Sequence, residues 1–250
     1  MLAITQARLT STRLPGKVLK EIQGKSLLQI HAERVKASKL ISRHIIAISD
    51  NVKDDELEQY CKKHGLEVFR GSEHDVLSRF YGISKHCQAP AVVRLTADCP
   101  LIDPNLIDQT IALYKDSEVD YVTNCIPASF PDGMDVEVFS FTALEKAMKE
   151  ASLLSDREHV TPFIWRQSNI SGGSIFKAKS LISPKDYAHI RLTVDEAADF
   201  ELISKLIGDL GVNQSWQTYA DHVLTQNLFS NAKFKRNEGY NQSLKQDNHE

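Results

Sequence analysis

The sequence holds little of what usually narrows a function at once. Its four cysteines, Cys61, Cys87, Cys99 and Cys125, lie too far apart for any C-x-x-C pair, which argues against a zinc ribbon or a dithiol redox motif. Free thiols without a secretory leader fit a reducing cytoplasm, and residues 1–7 are too short for a signal h-region. No apolar run approaches the ~18 residues of a membrane span. The net charge is -3, and no stripe of basic and aromatic residues suggests nucleic-acid binding. The expectation is a cytoplasmic protein with no membrane and no nucleic-acid partner. Glycine-rich phosphate motifs are missing too. There is no G-x-G-x-x-G, and Gly24-Lys25-Ser26 only ends like a P-loop, because Leu19 stands where that motif needs glycine.

What is present is ordinary in bulk and uneven in place. Hydrophobic residues make up 42% of the 250 and charged residues 25%, a globular composition in a chain long enough for a substantial core. Residues 1–40 carry eight Lys and Arg against two acids, Glu21 and Glu33. A local basic field of that size suits a small anion or a phosphate better than a long polyanion.

The first half alternates β-branched runs with amphipathic stretches. Strands are expected at 2–5, 43–49, 66–70, 91–95 and 119–124. Helices are expected at 26–38, 53–65, 73–87 and 104–116, the last opened by Pro104. This alternation implies βαβ units and an α/β fold with a mostly parallel sheet covered on both faces. The second half is less regular. It reads as strands at 134–140, 171–178 and 189–194, with helices at 141–152, 155–168 (broken at Pro162), 196–211 and 215–229. One domain over 1–229 is expected, then a polar, aperiodic and frayed tail over 230–250.

The loop after the first strand, Gln6 to Lys17, holds Arg8, Arg13 and Lys17 with Ser11, Thr12, Pro15 and Gly16. A solvated basic loop is the plain alternative. Its position favours phosphate, because ligands of such sheets bind at the carboxyl ends of strands. Arginine forks match phosphate oxygens, lysine adds a point charge, and hydroxyls and backbone N–H groups donate. Asp98 follows the 91–95 strand and faces this loop. One or two carboxylates together with phosphate oxygens suit Mg²⁺. Asp103 precedes Pro104 and reads as a helix cap. Asp195 follows another strand-like run, and either a second metal ligand or a helix N-cap fits it.

Taken together, "ITQARLTSTRLPGK" resembles the opening signature of the cytidylyltransferases that activate acidic sugars, the CMP-Kdo synthetase and acylneuraminate cytidylyltransferase family. "RLTADCPLIDP" resembles their later R-x-x-x-D-x-P-L-[IV]-D-P segment. With "FPDGMDVEVFS", "SDREHVTPFI" and "RLTVDEAADFELI" the resemblance over residues 1–207 is closest to the spore coat polysaccharide biosynthesis protein F branch. It implies a Rossmann-like nucleotidyltransferase fold of the nucleotide-diphospho-sugar transferase type. It also implies CTP as co-substrate, Mg²⁺ and a homodimer. Carried over by position, Arg8, Arg13 and Lys17 match triphosphate-binding residues, with Gln6, Ala7, Ser11 and Thr12 beside them in the nucleotide loop. Asp98 matches a metal-binding aspartate and Asp195 the second. Arg13, Lys17 and Asp98 are the expected catalytic set. The implied reaction moves CMP from CTP to an acidic sugar or related acceptor in surface polysaccharide biosynthesis and releases pyrophosphate.

Residues 126–180 are the candidate sugar-binding or dimerisation region, with Asp132, Asp135, Glu137, Arg157 and His159 as acceptor-binding candidates. Each has a plainer reading. Pro131-Asp132-Gly133 is ordinary turn chemistry, Ser155 and Glu158 fit a capping box, and His159 suits a structural histidine better than a metal ligand. Arg94 and Arg191 are expected to pair with acids, and Trp165 and Trp216 to pack. A nucleotide-sugar glycosyltransferase is a second reading, weakened by the lack of D-x-D; the nearest pattern is D-x-E at Asp135–Glu137. A non-catalytic nucleotide-binding scaffold is a third.

Overall fold

The first strand explains why the core has two sides. Along β1 (Leu2–Gln6) successive side chains point to opposite faces of the sheet. Ala3 joins one buried cluster, while Leu2 and Ile4 join another. A computed structural model of the chain describes residues 1–229 and 236–247. In it β1 is followed by a two-residue-per-strand hairpin, β2 (Glu21–Ile22) and β3 (Lys25–Ser26), and then by α1 (Leu27–Lys36). Ser26 caps α1 by accepting the Gln29 N–H at 3.0 Å. The alternation then continues through β4 (Arg43–Ser49), α2 (Asp55–Lys63), β5 (Glu67–Gly71), α3 (Val76–His86), β6 (Ala91–Thr96) and α4 (Pro104–Lys115). After these come β7 (Tyr121–Thr123), β8 (Glu137–Ser140), α5 (Phe141–Glu150), α6 (Leu154–His159), α7 (Pro162–Arg166), β9 (Ala178–Ser180), α8 (Ala197–Leu210), α9 (Trp216–Thr225) and α10 (Glu238–Asp247).

Seven strands form one sheet in the order β5-β4-β1-β6-β8-β7-β9. The pairs β1–β4, β1–β6, β4–β5 and β7–β9 are parallel, while β8 runs antiparallel to β6 and β7. The chain builds outward from β1 to β4 and β5, then returns to place β6 on the other side of β1. That reversal opens a crevice at the carboxyl ends of β1 and β6, where the loops after the two strands part. α1, α4, α8 and α9 cover one face through Leu27, Ile107, Leu206 and Tyr219. α3 and α5 cover the other through Phe80 and Leu144. Each such fully buried side chain contributes roughly 1.5–3 kcal/mol.

Several expectations are corrected. The 189–194 run alternates as a strand should, and Ile190, Leu192 and Val194 are all fully buried. Among the described residues it nevertheless pairs only through an isolated bridge between Asp132 and Arg191; its other bonds go to loops, as when Val194 N donates to Asp98 O at 2.8 Å. Alternation reports burial on one face, not a ladder partner. Of 171–178 only Ala178 is in a strand. The 155–168 helix is two short helices, split where Val160 takes φ 72 ahead of Pro162. The Ser155–Glu158 capping box does not form; Leu153 is the N-cap residue and makes no side-chain bond. Asp195 is not a cap either, because Glu196 and Asp199 form the capping box of α8. Asp103 does cap α4, accepting from Asn105 N at 2.8 Å, and also takes the Trp216 N–H at 2.8 Å. In place of a frayed tail, Glu238–Asp247 is a helix lying against α6; residues 230–235 and 248–250 of that expectation lie outside the described residues.

Candidate active site

A cleft of about 420 Å³ opens where β1 and β6 part. Its floor is set by the loop after β1. Gly16 holds φ 66 and turns the chain into a short 3-10 helix that begins at Lys17. A Cβ at Gly16 would meet nothing within 4 Å, so the glycine serves the left-handed backbone conformation rather than close approach. The turn aims Lys17 inward, and only 7% of it is exposed. Its Nζ donates to Asp98 Oδ2 at 2.9 Å, to Asp195 Oδ1 at 2.8 Å and to the Val194 carbonyl at 2.8 Å. Two carboxylates almost a hundred residues apart thus converge on one ammonium. Burial works against the Lys17 charge, but Asp98 and Asp195 outweigh it and hold the ammonium above the ordinary lysine value. Burial likewise opposes the Asp98 charge, and Lys17 holds that carboxyl well below the usual range.

Arg191 fixes Asp195 from behind. Its guanidinium donates to Asp195 Oδ2, to Asp132 Oδ2 and to Asp199 Oδ1, each at 2.8 Å. Gly133, at φ 100, lets the Pro131–Gly133 turn approach this segment; a Cβ there would stand 2.6 Å from the Leu192 carbonyl carbon. Asp132 and Asp135 therefore line the same cleft. Burial, and then Asp135 beside it, pushes the Asp132 carboxyl up to about 7 against the pull of Arg236 and Arg191. Burial raises Asp135 as well, although Arg236 pairs with it.

The remaining loop cations are also matched by acids. Arg13 lies 3.0 Å from Asp195 and 3.3 Å from Glu238 of α10. Arg8 lies 3.9 Å from Glu158. Gln6, Ala7, Ser11 and Thr12 line the cleft with them, and so does His159. The His159 ring meets Ser243 Oγ at 3.0 Å, and burial lowers its pKa to about 4.

Two of the acceptor-binding candidates sit elsewhere. Glu137 is 5% exposed and bonds to Arg94 and Tyr121; it balances Arg94, which lines the cleft, and does not line the cleft itself. Arg157 turns to Asp75 and to the Met148 carbonyl, outside the cleft lining. The cleft also contains residues that the sequence reading passed over: Arg79, Thr96, Glu238, Tyr240 and Ser243. Arg79 did leave a signal. It falls on the buried stripe Val76–Arg79–Phe80–Ile83 of α3, where a charge is out of place unless something uses it. The α10 residues left none, since a polar decamer shows no apolar period.

An α/β sheet with its loop cations and paired aspartates at the strand reversal defines a nucleotide-handling enzyme of the nucleotidyltransferase type. The chain belongs to the cytidylyltransferase family, which matches it over residues 2–232, and it is a nucleotidyltransferase. It is 39% identical over 209 residues to an uncharacterized protein of Methanocaldococcus jannaschii, covering 82% of each chain. It is 36% identical over 218 residues to the spore coat polysaccharide biosynthesis protein SpsF of Bacillus subtilis, covering 84% of this chain and 88% of that one. The solved structure of a cytidylyltransferase from Leptospira borgpetersenii superposes with a TM-score of 0.84 at 31% identity, over 94% of this chain and 98% of the other. The fold expected from the strand–helix alternation and the family that the quoted motifs together resemble are both borne out.

Proposed function

We propose that the protein transfers CMP from CTP to an acidic sugar or a related acceptor, with release of pyrophosphate, in surface polysaccharide biosynthesis. The observation that carries this reading is the meeting of Asp98 and Asp195 on Lys17 Nζ at the strand reversal. The Bacillus subtilis relative supports the polysaccharide setting. The donor set fits Mg²⁺: two hard carboxylates with room for phosphate oxygens and water. Among the described residues no cluster of three or more His, Cys, Asp or Glu groups forms a closed all-protein site. Asp98 and Asp195 would hold the ion, and when bound it supplies neutralisation of the charge that builds on the phosphates.

The chain's own groups do the rest. Lys17 and Arg13 hold the triphosphate and offset the charge that grows on the leaving pyrophosphate. The acceptor oxygen attacks the α-phosphorus in line, the bond to the pyrophosphate oxygen breaks, and positioning supplies much of the rate. Asp132 and Asp135 flank the acceptor side and orient its hydroxyls, with His159 nearby. Arg191 keeps Asp195 and Asp132 in place. A homodimer in the cytoplasm completes the reading; no helix among the described residues is long and apolar enough to cross a membrane.

The test is pyrophosphate release from CTP and Mg²⁺ across a panel of acidic sugars. With a competent acceptor, Asp98→Asn should lower kcat at least about a hundredfold. Near-normal turnover in that variant would sink the assignment.

A further inference from the structure

Burial does not explain why α10 is there. Ser243 is its one buried residue among the described residues, and a decamer that is polar all round has little stability of its own. The protein nevertheless pins it in three places. Arg236, just ahead of it, donates to the Phe130 carbonyl at 2.8 Å and pairs with Asp135. In its middle Ser243 Oγ donates to Glu158 Oε2 at 2.8 Å and meets the His159 ring at 3.0 Å. At its end Asp247 takes the Ser155 N–H at 3.0 Å.

These anchors turn one face of the helix to the cleft. Gly239, Gln242, Ser243 and Gln246, at i, i+3, i+4 and i+7, all line it, whereas Asn241 and Lys245 do not. Gln242 and Gln246 lie one turn apart and are exposed. Among the described residues neither side chain has a hydrogen-bond partner. At Gly239 a Cβ would come no nearer than 3.9 Å, to His159 Cε1. Packing would therefore admit alanine, a far better helix former, and the glycine keeps the cleft open at that turn. The course of the helix says which part of a ligand the amides meet. Glu238, in its first turn, reaches Arg13 of the phosphate loop. From there α10 runs along α6, where Arg94 on β6 and Glu137 on β8 act on His159. β6 and β8 lie on the side of β1 away from β4 and β5. The amides thus look onto the acceptor side of the cleft, beyond the phosphates.

We propose that α10 reads the acceptor, with Gln242 and Gln246 hydrogen-bonding hydroxyl groups of a sugar. This rests on the cytidylyl-transfer reading and adds the residues that set acceptor choice. A carboxamide offers two donors and an acceptor oxygen, and a sugar hydroxyl both donates and accepts. Each glutamine therefore takes a hydroxyl in either sense. Charged side chains would cost more to strip of water. The cations at this end are already matched by acids: Arg191 by Asp132, Arg236 by Asp135 and Arg94 by Glu137. Neutral amides above balanced charges favour a hydroxyl-rich sugar over a small acid that has no hydroxyls to offer.

The experiment follows pyrophosphate release with CTP, Mg²⁺ and whichever acidic sugar of the panel turns over fastest. It compares the wild type with Gln242→Leu, Gln246→Leu, the double variant and Asn241→Leu. Leucine keeps the helix propensity of glutamine and removes its hydrogen bonds. Each single substitution at 242 or 246 should raise the acceptor KM about three- to tenfold, and the double variant about ten- to a hundredfold. The kcat and the CTP KM should stay as they are, which marks binding made equally in the ground and transition states. Asn241→Leu, at a position that does not line the cleft, should match the wild type. An unchanged acceptor KM in the double variant overturns the assignment and leaves the transferase reading standing. A parallel rise in the CTP KM, or an equal effect of Asn241→Leu, overturns it in favour of α10 as a structural roof. No pyrophosphate from any sugar of the panel overturns the transferase reading and this inference with it.

Discussion

Thr5 stands between a buried histidine and a half-buried one: its Oγ1 lies 2.9 Å from His31 Nε2 and 2.8 Å from His44 Nε2. His31 Nδ1 meets the Cys99 carbonyl at 2.9 Å. Burial lowers the His31 pKa to about 4 and, with His31 adding to it, the His44 pKa to about 3. Both rings stay neutral in the fold and protonate near 6.5 once it opens. Between pH 6.5 and 4 the unfolded chain therefore binds more protons, so stability is full above 6.5 and falls with acid through that window. His31 alone accounts for about 3 kcal/mol by pH 4. Urea midpoints should fall between pH 7 and pH 4.5 in the wild type, and less steeply in His31→Gln. Parallel slopes in the two proteins would rule out the histidine pair as the cause. His31 sits beneath the segment that carries Asp98, so the packing below the site contributes to the acid sensitivity of the fold.

The element that most changes the picture of the site is α10. It brings Glu238 to Arg13, Ser243 to His159 and Glu158, and Tyr240 edge-on to Trp165 and His159. Arg166 Nη1 also donates to the Tyr240 hydroxyl at 3.3 Å. Glu238 holds a cation that a triphosphate needs, and the pair is half exposed, so it is worth at most about 1 kcal/mol. Glu238→Gln should therefore tighten CTP binding, by about two- to fivefold. Weaker binding would mean instead that Glu238 holds Arg13 in its working position. Nothing in the sequence announced this helix. Its contacts are polar and individually weak, and periodicity senses only apolar faces. The opposite case is β4, whose bounds of 43–49 are those expected from its β-branched run, because it is buried on both faces. Between these extremes lies 189–194, where the alternation was correct and the strand was absent. Sequence pattern reports what is buried, and ladder pairing depends on neighbours that the pattern does not name.

At the scale of the whole molecule the cleft is a set of matched charges. The loop cations and Asp98 were legible because they follow strands of a parallel sheet, and sheet topology alone delivers them to one end. That Asp195 would join them followed only from the family resemblance and not from the pattern of residues, since its approach depends on Val194 bonding to Asp98 O and on the clamp of Arg191. Without ligand, Lys17 satisfies both aspartates and Arg13 shares one of them. Triphosphate alone would pull the cations away and strand two carboxylates, and a divalent cation alone would displace the buried ammonium. Only together do they exchange partners with none left unpaired, so their binding is coupled. Mg²⁺ alone should leave Tm nearly unchanged, CTP alone should raise it slightly, and the two together should raise it most. At a hundredfold excess over Kd the gain is about 2.7 kcal/mol, or roughly 5–10 °C for a chain of this length. Lys17→Met should abolish the joint shift while its unliganded Tm stays measurable. A shift from CTP that is the same with and without Mg²⁺ would separate the two ligands, and Asp98 and Asp195 would then have to be explained as the partners of Lys17 alone.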